Sequence, residues 1–100
     1  MIERYVFIKL KDEHLHERGA LAQRIAEVVG TVPGVVGVRA GTPAEERSAS
    51  AWDLSVAIRF ERLEDVEPYK VHPDHRRLVD EELRPKMIIL KAWNFALSGD

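Results

Sequence analysis

A chain of 100 residues with 17 acidic against 15 basic side chains, a formal charge of −2 and no cysteine has room for one modest core and for no disulfide or thiolate metal site. Its basic residues are scattered among acidic ones, which excludes the clustered basic face of a nucleic-acid binder. No apolar run approaches the roughly 20 residues of a membrane span, and Met1-Ile2-Glu3-Arg4 lacks the apolar core of a signal peptide, so a soluble, cytoplasmic single domain over 1–100 is expected.

Residues 2–10 alternate, with Arg4, Val6, Ile8 and Leu10 on one face and Glu3, Tyr5, Phe7 and Lys9 on the other, the period of a strand. The face with Tyr5 and Phe7 is too apolar to leave in water, so both faces need a partner. Asp12 is placed to N-cap a helix. Leu15, Leu21, Ala22, Ile25, Val28, Val29 and Val32 recur behind it at helical spacing. Gly19 weakens that helix and suggests close packing on the sheet. The helix is expected to end near Gly30, with Pro33-Gly34 as the turn into a strand over 35–40. Polar and small residues with Pro43 make 41–51 a loop. Alternation returns over 52–60, with Trp52, Leu54, Val56, Ile58 and Phe60 on one face and Asp53, Ser55, Ala57 and Arg59 on the other. A short helix is expected over 63–71 around Pro68, and another over 73–84 with Leu78, Val79 and Leu83 inward. Pro85 stops it, and 87–95 is the last strand.

Tyr69-x-x-His72-Pro73-x-His75 crosses the boundary between those two helices. Proline fixes its own φ and drives the residue before it out of the α region, so His72 should be extended and Pro73 should open a helix. His75 then falls in the first turn, and the bend can turn Tyr69 and His75 toward one cavity. Such groups could do acid–base chemistry or could satisfy one another, and the residues alone leave both readings open. At the N-cap, His72 has local hydrogen bonding as its simplest role.

The element order is β-α-β-β-α-β, the split arrangement of α+β, ferredoxin-like folds with a four-stranded antiparallel sheet. Helices cover one sheet face. The other would expose Tyr5, Phe7 and aromatic residues of the last strand, Trp93 or Phe95, and apolar patches of that kind mark interfaces. Two such sheets closing face to face would bury both, so a homodimer through the helix-free face is expected.

With that order the chain resembles the stress-responsive A/B barrel (Dabb) family of dimeric α+β barrels. The resemblance rests on Lys9-Leu10-Lys11-Asp12 after the first strand, Val32-Pro33-Gly34-Val35 after the first helix, Arg59-Phe60-Glu61, and the Tyr69 to His75 motif. It implies a homodimer forming one barrel but no single activity. Some members resemble polyketide cyclases, which close a poly-β-keto chain by aldol condensation, and others look like stress-associated stabilisers. In the cyclase branch the Tyr and second His of the motif react, which implies Tyr69 and His75 here. That branch also carries a His on the first strand and one on the third, where this chain has Arg4 and Leu54. Leu54 removes a polar group and Arg4 adds a permanent charge, so the resemblance implies either a different substrate, of anionic character, or no reaction.

Two functions follow. The first is a cofactor-free cyclase or isomerase acting on a carbonyl compound, with His75 as general base and Tyr69 as oxyanion donor. Its substrate contacts would be Arg4, Val6, Ile8, Leu54, Val56, His72 and Leu78. The second is a non-catalytic dimeric module holding a hydrophobic small molecule. A heme- or oxygen-using barrel is the weakest reading, because no residue looks like a committed heme ligand. Arg4 could instead snorkel to solvent. His14-x-His16 points its imidazoles apart on a helical turn, so no metal is expected. Glu45-Glu46-Arg47 and Asp80-Glu81-Glu82 read as solvated faces, Trp52 and Trp93 as core or interface anchors. No Gly-rich phosphate loop is present.

Overall fold

A computed structural model describes residues 1–99. Strand β1 (Ile2–Leu10) is central, and its inward row Val6, Ile8 and Leu10 is buried as the alternation requires. A 3-10 turn over Asp12–Glu17 follows, and then helix α1 (Arg18–Val29). Lys11, not Asp12, occupies the cap position, and no side chain caps it. Asp12 instead lies inside the first turn, where its charge favours the exposed N–H groups. Leu21, Ala22, Ile25 and Val29 form the buried stripe of α1. Gly19 is not a close approach, since a Cβ built there meets nothing within 4 Å. Gly34, at φ +93°, does need its missing side chain, and it turns the chain into β2 (Val35–Gly41).

The segment read as a loop holds a short helix, α2 (Glu46–Ala51). It buries no residue, so no apolar period announces it. Its support is local: Ser48 Oγ donates to Glu45 Oε1 at 3.0 Å and Ser50 Oγ to the Arg47 carbonyl at 2.8 Å. Because Trp52 ends that helix, β3 runs only over Leu54–Phe60. Trp52 consequently leaves the row assigned to it and packs on Phe7, on the helix-free face, with ring centroids 5.7 Å apart.

Asp53 departs furthest from its expected place on an outward row: it is fully buried. Its N–H donates to the Ile8 carbonyl at 2.9 Å, while its Oδ2 accepts from the Leu10 N–H at 2.8 Å. The carboxylate thus takes the place of a strand neighbour where β3 has ended and β1 continues. Arg18 donates to Oδ1 through Nη2 at 2.7 Å. Burial pushes the Asp53 carboxyl up, but the Leu10 and Arg18 bonds and the charges of Lys9 and Arg18 outweigh it and hold it below its usual value.

A 3-10 turn over Leu63–Asp65 leads into α3 (Val66–Val71). Pro68 is tolerated as its third residue, where the N–H lacks an intrahelical partner anyway. Helix α4 (Pro73–Arg77) widens into a π-helix over Leu78–Leu83, closed by the five-residue bond from Arg84 N–H to the Val79 carbonyl at 2.8 Å. That spacing brings residues five apart, such as Leu78 and Leu83, onto one face, and both are buried. Strand β4 (Met87–Ala96) completes the sheet.

The strand order is β2-β3-β1-β4 with every neighbouring pair antiparallel. Register places Ile8 beside Leu54, Val6 beside Val56 and Arg4 beside Ile58, and this face meets α1, α3 and the π-helix in one core that includes Phe60 and Leu78. The opposite face carries no helix. Tyr5 meets Phe95 at 5.7 Å there and Phe7 meets Trp93 at 6.4 Å, with Trp93 48% and Phe95 56% exposed. Glu3 is buried on this face, accepting from Arg59 Nη2 at 3.0 Å, with Arg39 at 3.5 Å. Among the described residues no helix is long and apolar enough to cross a membrane.

Candidate functional site

The proline break builds the site. His72 is extended, at φ −60° and ψ 136°, and its Nδ1 accepts from the Asp74 N–H at 3.2 Å. It therefore caps α4 and does not line the cavity described below. Pro73 then opens the helix, and His75 in its first turn folds back on α3. The His75 ring lies against Tyr69, centroids 4.3 Å apart, and Tyr69 in turn meets Phe60 edge-on at 5.3 Å.

The Tyr69 and His75 rings border a cavity of about 200 Å³ between the sheet and the helices. Arg4, Val6, Ile8, Val56, Tyr69, His75 and Leu78 line it, together with Lys70 and further apolar residues of α1, β3, β4 and the π-helix. Leu54, read as a wall residue, is sealed in the core at 1% exposure and is not part of the lining. Ile25 and Val29, on the inward stripe of α1, were legible as core but not as cavity wall. Lys70 had no signal, since a lysine in a short helix reads as surface.

The His75 ring nitrogen Nδ1 lies 2.9 Å from the Lys70 carbonyl oxygen. A carbonyl only accepts, so Nδ1 carries the hydrogen, and in the neutral ring Nε2 keeps its lone pair. Burial depresses the His75 pKa from 6.5, against the raising effect of the Lys70 carbonyl, and the charges of Arg4, Lys70 and Arg76 add to the depression. Neutral imidazole is thus the form present at neutral pH. Burial pushes the Tyr69 hydroxyl up to about 12, partly opposed by the Arg4 charge, so the phenol keeps its proton as a donor. Among the described residues the Tyr69 hydroxyl and His75 Nε2 have no hydrogen-bond partner, yet no fully buried side-chain nitrogen or oxygen is left unpaired. Both therefore keep some surface open to solvent.

Arg4 sits half-buried on the cavity wall, and its Nη1 donates to Asn94 Oδ1 at 3.1 Å. It lines the cavity and at the same time bonds across to β4. Burial draws its pKa down, while Tyr69 and Glu67 raise it; a guanidinium stays charged throughout. His14 is engaged with Glu17. A larger recess of about 320 Å³ opens on the helix-free face between Phe7, Pro43 and Trp52. Its one acid, Asp53, is already bonded to Leu10 and Arg18, so that recess offers no free acid–base group.

Comparison with known proteins agrees with this architecture. No match to a curated protein was found. The chain is similar to a Dabb family protein with a ferredoxin-like fold from Mesorhizobium loti, with 17% identity, TM-score 0.79, and 98% of this chain and 97% of that one covered. A dimeric ferredoxin-like protein of unknown function from Thermobifida fusca is 18% identical, with TM-score 0.74 and coverage of 96% and 90%. An antibiotic biosynthesis monooxygenase is 9% identical, with TM-score 0.76 and coverage of 97% and 98%. At such identities these likenesses speak to fold alone. The stress responsive A/B barrel domain, Dabb, matches residues 2–91, and the chain belongs to that family.

Proposed function

We propose that this stress-responsive A/B barrel protein is a small cofactor-free cyclase or isomerase, in which His75 takes a proton from carbon beside a carbonyl and Tyr69 steadies the oxygen that becomes negative. The observation that carries the reading is the fixed tautomer of His75: Nδ1–H held by the Lys70 carbonyl leaves Nε2 as the base, on a cavity shared with a protonated phenol. Proton removal breaks a C–H bond, the proton goes to Nε2, and the electron pair moves onto the carbonyl oxygen as an enolate that accepts the Tyr69 hydrogen bond. For ring closure the enolate carbon attacks a second carbonyl of the same molecule, and His75 returns its proton to the new alkoxide. Val6, Ile8, Val56 and Leu78 would hold the apolar part of the substrate.

The working unit in this reading is a homodimer closed through the helix-free sheet face. The exposed Trp93 and Phe95 beside Tyr5 and Phe7 support it, as does the dimeric state named for the Thermobifida fusca relative.

Exchange into deuterated water of the protons between the two carbonyls of a β-keto ester tests the chemistry. His75→Ala should slow protein-catalysed exchange by about 10²- to 10⁴-fold, and Tyr69→Phe by about 10²- to 10³-fold. Wild-type protein no faster than either variant would leave the second reading, a non-catalytic dimer that holds a hydrophobic small molecule. The bonding of His75 to backbone favours that alternative, since it also braces the bend.

A further inference from the structure

The charges around the cavity are one-sided. Its lining holds two cations, Arg4 and Lys70, and no aspartate or glutamate. Lys70 has a counter-ion, since its Nζ lies 3.7 Å from Glu67 outside the lining. Arg4 has none. Its hydrogen bond goes to the neutral amide of Asn94 at 3.1 Å, and among the described residues no carboxylate pairs with it. Every other arginine except the exposed Arg47 has an acidic partner. A permanent, half-buried charge with no carboxylate bonded to it, on a cavity open to water, is a site for an anion.

The wall behind Arg4 defines the rest of the ligand. Arg4, Val6 and Ile8 project from β1 onto one face, so the wall runs on the order of 13 Å from its charged end to its apolar one. Leu90 lies beside Ile8 at the apolar end, and Leu83 also lines the space. At about 200 Å³ the space is smaller than the roughly 300–1,000 Å³ of drug-sized sites.

We propose that the cavity takes a small monocarboxylate, its head on the Arg4 guanidinium and its apolar chain lying along Val6 and Ile8. The inference rests on the reading of this cavity as a ligand site and narrows its substrate to an acid that also bears a carbonyl. The head on Arg4 would leave the carbonyl for Tyr69 and His75. The carboxylate supplies the counter-charge that the protein withholds, and the apolar walls supply most of the affinity.

Amide chemical shifts followed by NMR during titration with octanoate, methyl octanoate and inorganic phosphate test this. Octanoate should move resonances of Arg4, Tyr69, His75 and Leu78, and bind more tightly than its neutral ester. Phosphate, which has no apolar part, should move none of them. Arg4→Met should weaken octanoate on the order of tenfold, the loss of one charge-assisted hydrogen bond, and leave the ester unchanged. Arg4→Lys should recover part of the difference, which separates lost charge from lost fold. Equal binding of acid and ester, no binding of octanoate, phosphate binding as tight as octanoate, or indifference to Arg4→Met each overturns the proposal. If octanoate depends on Arg4 while His75→Ala leaves proton exchange untouched, the acid–base reading fails and this one stands; the reverse pattern separates them the other way.

Discussion

The two faces of the sheet are made by the same four strands, yet they do different work. On the helix-covered face, Val6, Ile8, Val56, Ile58 and Phe60 are nearly sealed, and the polar groups there gather at one cavity. On the bare face the aromatic residues Tyr5, Phe7, Trp93 and Phe95 lie beside a buried carboxylate with its two arginines. The covered face secures the folded chain and holds the candidate chemistry, whereas the bare face leaves aromatic area exposed. Because strand side chains alternate, one-residue steps along β1 separate the two tasks, and a substitution can reach one without the other.

The sharpest way to break this division is to truncate an aromatic on each face. Phe60 is wholly buried and buttresses Tyr69, so Phe60→Ala should lower stability by about 3–5 kcal/mol, read as a lower urea midpoint. A loss under about 1 kcal/mol would deny the covered face its role as the stabilising core. Phe7→Asp should act mainly on assembly, placing a charge between Trp52 and Trp93. Light scattering should then report monomer or aggregate where the parent is a dimer, and an unaltered soluble dimer would mean that the bare face is not the interface.

The smallest effect sharpens the comparison through pH. His75 has a folded pKa below 6.5, so the unfolded chain binds that proton more readily than the native one. Its contribution to stability is full above about pH 6.5 and is lost as the pH falls through the lower folded value. His75→Ala should flatten that acid-side decline in denaturation midpoints measured against pH. Proton exchange by the parent protein should rise on an acid limb whose midpoint lies below pH 6.5 and then hold level until Tyr69 ionises at about 12. A midpoint above pH 6.5 would place the base elsewhere.

Period two in β1 and β3 and the apolar stripe of α1 were enough to read the layers, the sheet and its bare face. The meeting of Tyr69 with His75 was legible too, because Pro73 leaves His72 little choice but an extended backbone. The misplacements share one cause, which is that ends of elements obey local bonding rather than period. Trp52 continues the alternation of β3 on paper, but it is the residue that ends α2, so its side chain goes to the opposite face. Asp53 looks like an outward acid until its carboxylate is found completing the ladder of β1. His72 and His75 are alike in sequence, and only the Asp74 N–H separates a cap from a cavity residue. Leu54 lies on the cavity's face of the sheet, but at the end of β3 next to Trp52, where it borders the other recess instead.

The π-helix over Leu78–Leu83 carries a consequence for how such a chamber can change over time. A five-residue hydrogen bond is what remains when a helix absorbs one surplus residue. Deleting one of the residues between Leu78 and Leu83 would restore the ordinary pitch and leave the two leucines four apart, still on one face of the helix. A single codon could therefore be lost at this point with the chamber wall kept in place, which makes the wide turn a spot where chain length can drift while register holds.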